Sequence, residues 1–240
     1  MFNNIKEVKK MLGIIGAMDE EVAKLKEQMK DVKVMSKAAM DFYEGSLGGK
    51  NVVVVRSGIG KVNAAMCTQI LVDTYQVDAV INTGIAGSLN ANINIGDIVL
   101  STDTLEHDMD AVAFGYPLGQ IPRMDTLSFK ADEKLRALAK KVCQEVIPEI
   151  SVFEGRVVSG DQFVSDKKKK AWLVENFDGY CTEMEGAAIA HAAYLNDVPF
   201  LIIRAISDKA DDSASMDYPT FEAQAIEHSV KLLLELCKQM

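Results

Sequence analysis

The chain has 240 residues, 48% of them hydrophobic and 25% charged, enough for one α/β domain or two small ones with a large core. Its net charge of −9 argues against nucleic acid or an anionic membrane as the main partner, but not against a small ligand carrying a purine or a sugar. Cys67, Cys143, Cys181 and Cys237 are far apart and form no C-x-x-C pair, which argues against a zinc site or a disulfide framework and for reduced thiols in a cytoplasmic protein.

In chain order, MFNNIKEVKK (1–10) reads as a polar extension without the apolar stretch or cleavage site of a signal peptide. A single domain is expected over 11–240, with no apolar run long enough to cross a membrane. MLGIIGAM (11–18) reads as a buried strand and DEEVAKLKEQM (19–29) as a helix with an acidic first turn. NVVVVRSG (51–58) is a β-branched strand ending in glycine, followed by a helix over 61–75. VDAVINTGIAG (77–87) is a strand entering a glycine-rich turn, and GDIVLSTDT (96–104) is another strand. Residues 107–129 form a long irregular segment with Gly115, Pro117, Gly119 and Pro122, and connections of that length are often functional.

A helix follows over 132–147, and VFEGRVVSGDQFV (152–164) is a strand with a polar glycine turn. KKKK (167–170) reads as the solvated face of a short helix. TEMEGAAIAH (182–191) reads as a helix with glutamates in its first turn, where the macrodipole favours negative charge. PFLIIRAISD (199–208) is a strand ending in charge, and 220–240 is an amphipathic helix. Continuous apolar strands alternating with helices imply crossover units and a sheet covered on both faces.

Ligands of such sheets sit at the carboxyl ends of strands. GAMDEE (16–21), SGIGKV (57–62), NTGIAGS (82–88) and RAISDKADD (204–212) are polar or glycine-rich strand ends, with SGDQFV (159–164) as a fifth. Taken singly they are weak: glycine after a strand usually marks a turn, and GIGKV lacks the glycine spacing of a Walker motif. Asp208, after an apolar run, reads either as a turn residue or as an acid at the rim of a pocket. Arg204, four residues earlier on the same strand, is expected on the same face as Asp208. Spacing alone does not separate a simple salt bridge from a role in a site.

In order along the chain, GIIGAMDEEV, SGIGKVNAA, INTGIAGSL, VVSGDQFV, EMEGAAIAH and RAISDKAD resemble the 5′-methylthioadenosine/S-adenosylhomocysteine nucleosidases of the nucleoside phosphorylase superfamily. The resemblance covers nearly the whole chain from Met11. It implies an α/β single domain with a central mixed, twisted sheet flanked by helices. It also implies hydrolysis of the bond between adenine and a 5′-thio-substituted ribose, with no cofactor and no metal.

The family's catalytic positions match Glu21, which orients or deprotonates the attacking water, Glu185, which holds the ribose hydroxyls, and Asp208, which protonates adenine N7. Arg204 and Ser207 match supporting positions. Phe163 resembles the ring stacked on adenine, and the Val164 backbone is placed to read the adenine edge. Ile59 and Met184, with Glu183 beside them, resemble nucleoside-lining residues, as do Ala86 and Gly87 of the TGIAG turn. Tyr218 matches an aromatic near the ribose and 5′ pocket. Phe114 and Pro122 match residues lent to the neighbouring subunit's 5′-thio pocket, which implies a homodimer. One departure is Ile85, where the family commonly has serine.

The chemistry suits these residue types. Cleaving an N-glycosidic bond leaves an oxocarbenium-like sugar and a purine anion that departs poorly until protonated. An acid that keeps its proton near neutral pH solves this, and burial or a neighbouring carboxylate can raise its pKa. Direct pairing with Arg204 would act the other way on Asp208, so the arginine is expected to address a different carboxylate. Two alternatives share the pocket. A phosphorylase would need arginines and amides to hold phosphate, where MDEE places three carboxylates. A non-catalytic nucleoside-binding module would not need Glu21 and Asp208.

Overall fold

A computed structural model describes residues 10–211 and 213–240; the polar extension expected at 1–10 lies, but for Lys10, outside the described residues. In chain order the strands are β1 (Met11–Gly16), β2 (Lys30–Lys37), β3 (Met40–Leu47), β4 (Lys50–Arg56), β5 (Ala79–Ser88), β6 (Ile98–Glu106), β7 (Phe129–Lys130), β8 (Val152–Ser159), β9 (Cys181–Glu183) and β10 (Phe200–Asp208). The helices are α1 (Asp19–Gln28), α2 (Lys61–Tyr75), α3 (Glu133–Val146), α4 (Lys167–Phe177), α5 (Gly186–Leu195) and α6 (Ala214–Gln239).

The ten strands form one mixed sheet in the order β10-β6-β8-β9-β5-β1-β4-β3-β2, with β7 paired to β6. β5 is the hub. It runs parallel to β1 over Ala79–Asn82 and parallel to β10 over Val80–Gly87, and its end at Gly87 and Ser88 pairs antiparallel with β9. The extra pairing of β5 with β10 closes β5, β10, β6, β8 and β9 into a ring, from which β1, β4, β3 and β2 extend. Every residue of β5 and of β10 is buried, as expected for strands covered on both faces. The carboxyl ends of the parallel strands β1, β5 and β10 lie on one side, and β9, which pairs antiparallel with the last residues of β5 and parallel with β8, brings the ends of β8 and β9 against them around the ring.

Helix starts follow local chemistry. Asp132 caps α3 by accepting the Leu135 N–H at 2.8 Å, and Asp166 caps α4 by accepting that of Lys169 at 2.8 Å. The N-cap of α2 is Gly60, which has no side chain to do this.

Several expectations change. Residues 30–47, to which the sequence reading assigns no element, form the β2–β3 hairpin; all of β2 is exposed, whereas β3 buries Met40, Phe42 and Leu47. The strand expected over 152–164 stops at Ser159, and the polar turn lies outside it. The lysine run opens α4 but is not wholly solvated: Lys170 Nζ donates to the Lys209 carbonyl at 2.6 Å, and Lys169 sits over the Trp172 ring. The glutamates of TEMEGAAIAH do not lie in a helical turn, because Glu183 ends β9 and Glu185 is the N-cap of α5. Finally, β10 shifts register between Ile206 and Asp208. That irregularity breaks the two-residue alternation which was to put Arg204 and Asp208 on one face.

Candidate active site

A cavity of about 400 Å³ opens where these strand ends meet. Glu21 enters it from α1, Ile59 from the loop after β4, and Ala86 and Gly87 from the end of β5. Phe163 and Val164 come from the turn after β8, Glu183, Met184 and Glu185 from the β9–α5 junction. Ser207 and Asp208 close the end of β10, and Tyr218 comes from α6. Residues almost two hundred positions apart in sequence thus share one wall.

Glu21 is fixed by main chain. Its Oε2 accepts the N–H groups of Ala17 at 2.6 Å and Met18 at 3.0 Å, and its Oε1 accepts that of Ile85 at 3.2 Å. Met18 is the N-cap of α1 and Glu21 its third helical residue, so the side chain folds back on the start of its own helix. Burial raises its pKa, with the Arg204 charge and the three amides working in the opposite direction. The contact with Ile85 comes from its backbone N–H, which any residue except proline supplies at that position.

Arg204 is fully buried and lies beneath the cavity rather than in its lining. It pairs with Glu183 and Asn82, and stands 3.7 Å from Glu185 Oε2. The expectation that it addresses a carboxylate other than Asp208 describes what is seen. A Cβ on Gly84 would collide with Arg204 and Glu21, so glycine at this point of β5 lets them come together. Glu183 is the anchor of the α5 start: it accepts the N–H of Glu185 at 3.1 Å and that of Gly186 at 2.8 Å, and the Ser159 hydroxyl. Glu185 Oε1 accepts the Gly60 N–H at 2.9 Å.

Glu21, Glu183 and Glu185 therefore surround one guanidinium. Three charges against one, away from water, favour holding a proton. Accordingly the Glu185 pKa is pushed up to about 7, by burial first and by the Glu183 charge second, with Arg204 opposing.

Asp208 sits apart from the guanidinium. Its Oδ2 accepts the Ser207 hydroxyl at 2.9 Å and its Oδ1 the Ala210 N–H at 2.7 Å. Burial raises its pKa above the usual carboxylate range, outweighing those two bonds. A shift in that direction suits a carboxyl group to hold and give up a proton.

The rest of the wall is apolar. Phe163 is 53% exposed at the mouth and meets the Tyr218 ring edge-on at 6.0 Å. The Tyr218 hydroxyl donates to Glu222 at 2.9 Å. Phe114 and Pro122 are not in the cavity of their own chain; Phe114 stands on a single 3-10 turn, 84% exposed. Ala17, Met18, Gln162, Thr182 and Pro219 also line the cavity and were not picked out from sequence. Neither were Asn82 and Ser159, the partners of Arg204 and Glu183; a polar Asn82 inside the apolar run VINTG is the signal that marks one of them.

Comparison with known proteins gives a consistent picture. The profile of the phosphorylase superfamily matches residues 11–238. The 5′-methylthioadenosine/S-adenosylhomocysteine nucleosidase of Staphylococcus carnosus is 43% identical over 231 residues, 96% of this chain and 100% of the relative. Among solved structures, the nucleosidase of that name from Neisseria meningitidis, in complex with methylthio-immucillin-A, superposes with a TM-score of 0.93 at 40% identity, covering 96% of this chain and 100% of the other. That of Colwellia psychrerythraea, in complex with adenine, gives a TM-score of 0.92 at 40% identity, covering 96% of each chain.

Proposed function

This chain belongs to the phosphorylase superfamily and, within it, to the 5′-methylthioadenosine/S-adenosylhomocysteine nucleosidases, and from that premise we propose how its carboxylates divide the work. The protein is a hydrolase that cleaves the N-glycosidic bond of methylthioadenosine and S-adenosylhomocysteine and releases adenine. The observation that carries the assignment of roles is the convergence of Glu21, Glu185 and Asp208 on one cavity.

Adenine lies against Phe163, with its edge toward the Val164 backbone. Asp208, protonated, gives its hydrogen to N7 as the bond from N9 to the ribose C1′ breaks, so the base leaves neutral. Glu185 grips the ribose hydroxyls, and the negative cluster around it favours the positive charge growing on the sugar. Glu21 takes a proton from water, whose oxygen bonds to C1′; the proton then passes through solvent to restore Asp208. Burial suits both ends of this transfer, since a carboxyl with a raised pKa is at once a better-retained acid and a stronger base.

The phosphorylase alternative is disfavoured by charge. Among the described residues, the cavity wall contains Glu21, Glu183, Glu185 and Asp208 but no lysine or arginine, a poor place for a phosphate dianion. The deciding experiment is incubation with methylthioadenosine with and without phosphate. Adenine and the free thioribose are expected at the same rate in both, whereas a phosphate requirement with a ribose 1-phosphate product would refute hydrolysis.

We further propose that the catalytic unit spans 11–240, that it works in the cytoplasm in methionine salvage, and that it is a homodimer. The exposed Phe114 and the surface position of Pro122 support the last point, since both are free to reach a neighbour's 5′-thio pocket. An active monomer in sedimentation would refute it.

A further inference from the structure

Helix α2 borrows its cap from the far side of the cavity mouth. Gly60 takes the positive-φ region, at 95°, that favours glycine. The amides it leaves open are filled by carboxylates from distant segments. The Gly60 N–H goes to Glu185, and the Lys61 N–H donates to Asp161 Oδ1 at 2.8 Å. A Cβ on Gly60 would come within 3.0 Å of that same Asp161 oxygen, so the bare backbone is what admits it.

The Lys61 side chain closes a circuit. Its Nζ donates to Asp108 Oδ1 at 2.7 Å and to Glu106 Oε2 at 2.8 Å, and the other Asp108 oxygen accepts the Asp161 N–H at 3.0 Å. Burial works against the charge on Lys61, but its two carboxylates outweigh this and hold its pKa above the ordinary value. Neither Lys61, Asp108 nor Asp161 lines the cavity. Their circuit nonetheless ties the segment bearing Ile59 and the Gly60 amide to the turn bearing Phe163 and Val164.

We propose that Asp161, held by Lys61 and Asp108, is a positioning residue that locks these two rims together and so sets both the adenine-stacking ring and the amide that holds Glu185. The inference rests on the adenine reading of the cavity. A carboxylate at the amino end of α2 is doubly suited to this task, as an acceptor for an open N–H and as a charge that complements the macrodipole.

Two substitutions at this exposed position test it. Asp161→Ala removes the acceptor, while Asp161→Asn keeps an oxygen where Oδ1 stands. Asp161→Ala is expected to raise KM for methylthioadenosine about tenfold with kcat changed less than about threefold, and Asp161→Asn to restore KM to within about twofold. Hydrogen exchange of the substrate-free protein is expected to quicken in segments 57–62 and 160–164 in Asp161→Ala and to keep its wild-type pattern in Asp161→Asn. Exchange does not depend on turnover, so it still decides on the clamp if the wild type releases no adenine, a result that would sink the functional reading instead. Unchanged KM in Asp161→Ala, unchanged exchange, or a loss of kcat equal to the rise in KM would each overturn the proposal.

Discussion

Two groups of carboxylates in this molecule have opposite acid–base character. Across β6 and β8, Asp103 receives the Arg156 guanidinium at 2.7 Å, and Glu154 is shared by Arg136 and Lys140. Asp103 sits below the usual carboxylate range because the Arg156 bonds outweigh its burial, and Glu154 sits low chiefly through its bond from Lys140. In the cavity, Glu21, Glu185 and Asp208 are all shifted upward, with burial the first cause in each. Residue type is the same in both places. What differs is the supply of cations and water: at least one cation per carboxylate in one region, and one guanidinium among three glutamates in the other. The first arrangement stabilises charge, and the second keeps protons available for chemistry.

The contrast breaks most sharply at Asp208. Replacing it with asparagine keeps the shape and removes the transferable proton, so kcat is expected to fall by about 10²–10⁴-fold. Circular dichroism and Tm should stay close to the wild type; full turnover in Asp208→Asn would place the acid elsewhere. Arg204→Met is expected to act on stability instead. It strands three buried carboxylates and should cost about 3–5 kcal/mol in urea unfolding. Arg156→Met, at a half-buried pair near the surface, should cost about 1 kcal/mol. Equal costs would mean that the two regions do not differ as argued.

The gentlest test is the pH dependence of stability. Glu185 has a folded pKa of about 7 against an ordinary value of 4.5. Its protonated form therefore stabilises the fold fully below about 4.5, and that contribution is lost as pH rises toward 7. Glu185→Gln should gain in Tm relative to wild type across that interval. Asp103 runs the other way, because its folded pKa lies below 3.8. Its contribution is present above that value and lost as pH falls through the lower folded one, so the penalty of Asp103→Asn should shrink on acidification. Thermal melts across the two intervals measure both slopes, and slopes of the same sign would contradict the comparison.

Sequence by itself determined the alternation of strands and helices, the polar strand ends and the family, because burial of continuous apolar runs and helix punctuation are local properties of the chain. It missed the β2–β3 hairpin, whose outer strand has no buried residue and shows only the short alternation of Val32 and Val34 with a polar side chain between them. It also placed Glu183 and Glu185 a turn too deep in a helix, since alanine-rich sequence continues helical propensity back through a strand end that only sheet pairing creates. The register shift in β10, the sharing of Arg204 among glutamates and the clamp at Lys61 were decided by tertiary structure alone. Each depends on which groups, tens to hundreds of residues apart, are brought within a few ångströms of one another and out of water, and the free energy of a buried charge is set by those neighbours rather than by the residues beside it in the chain.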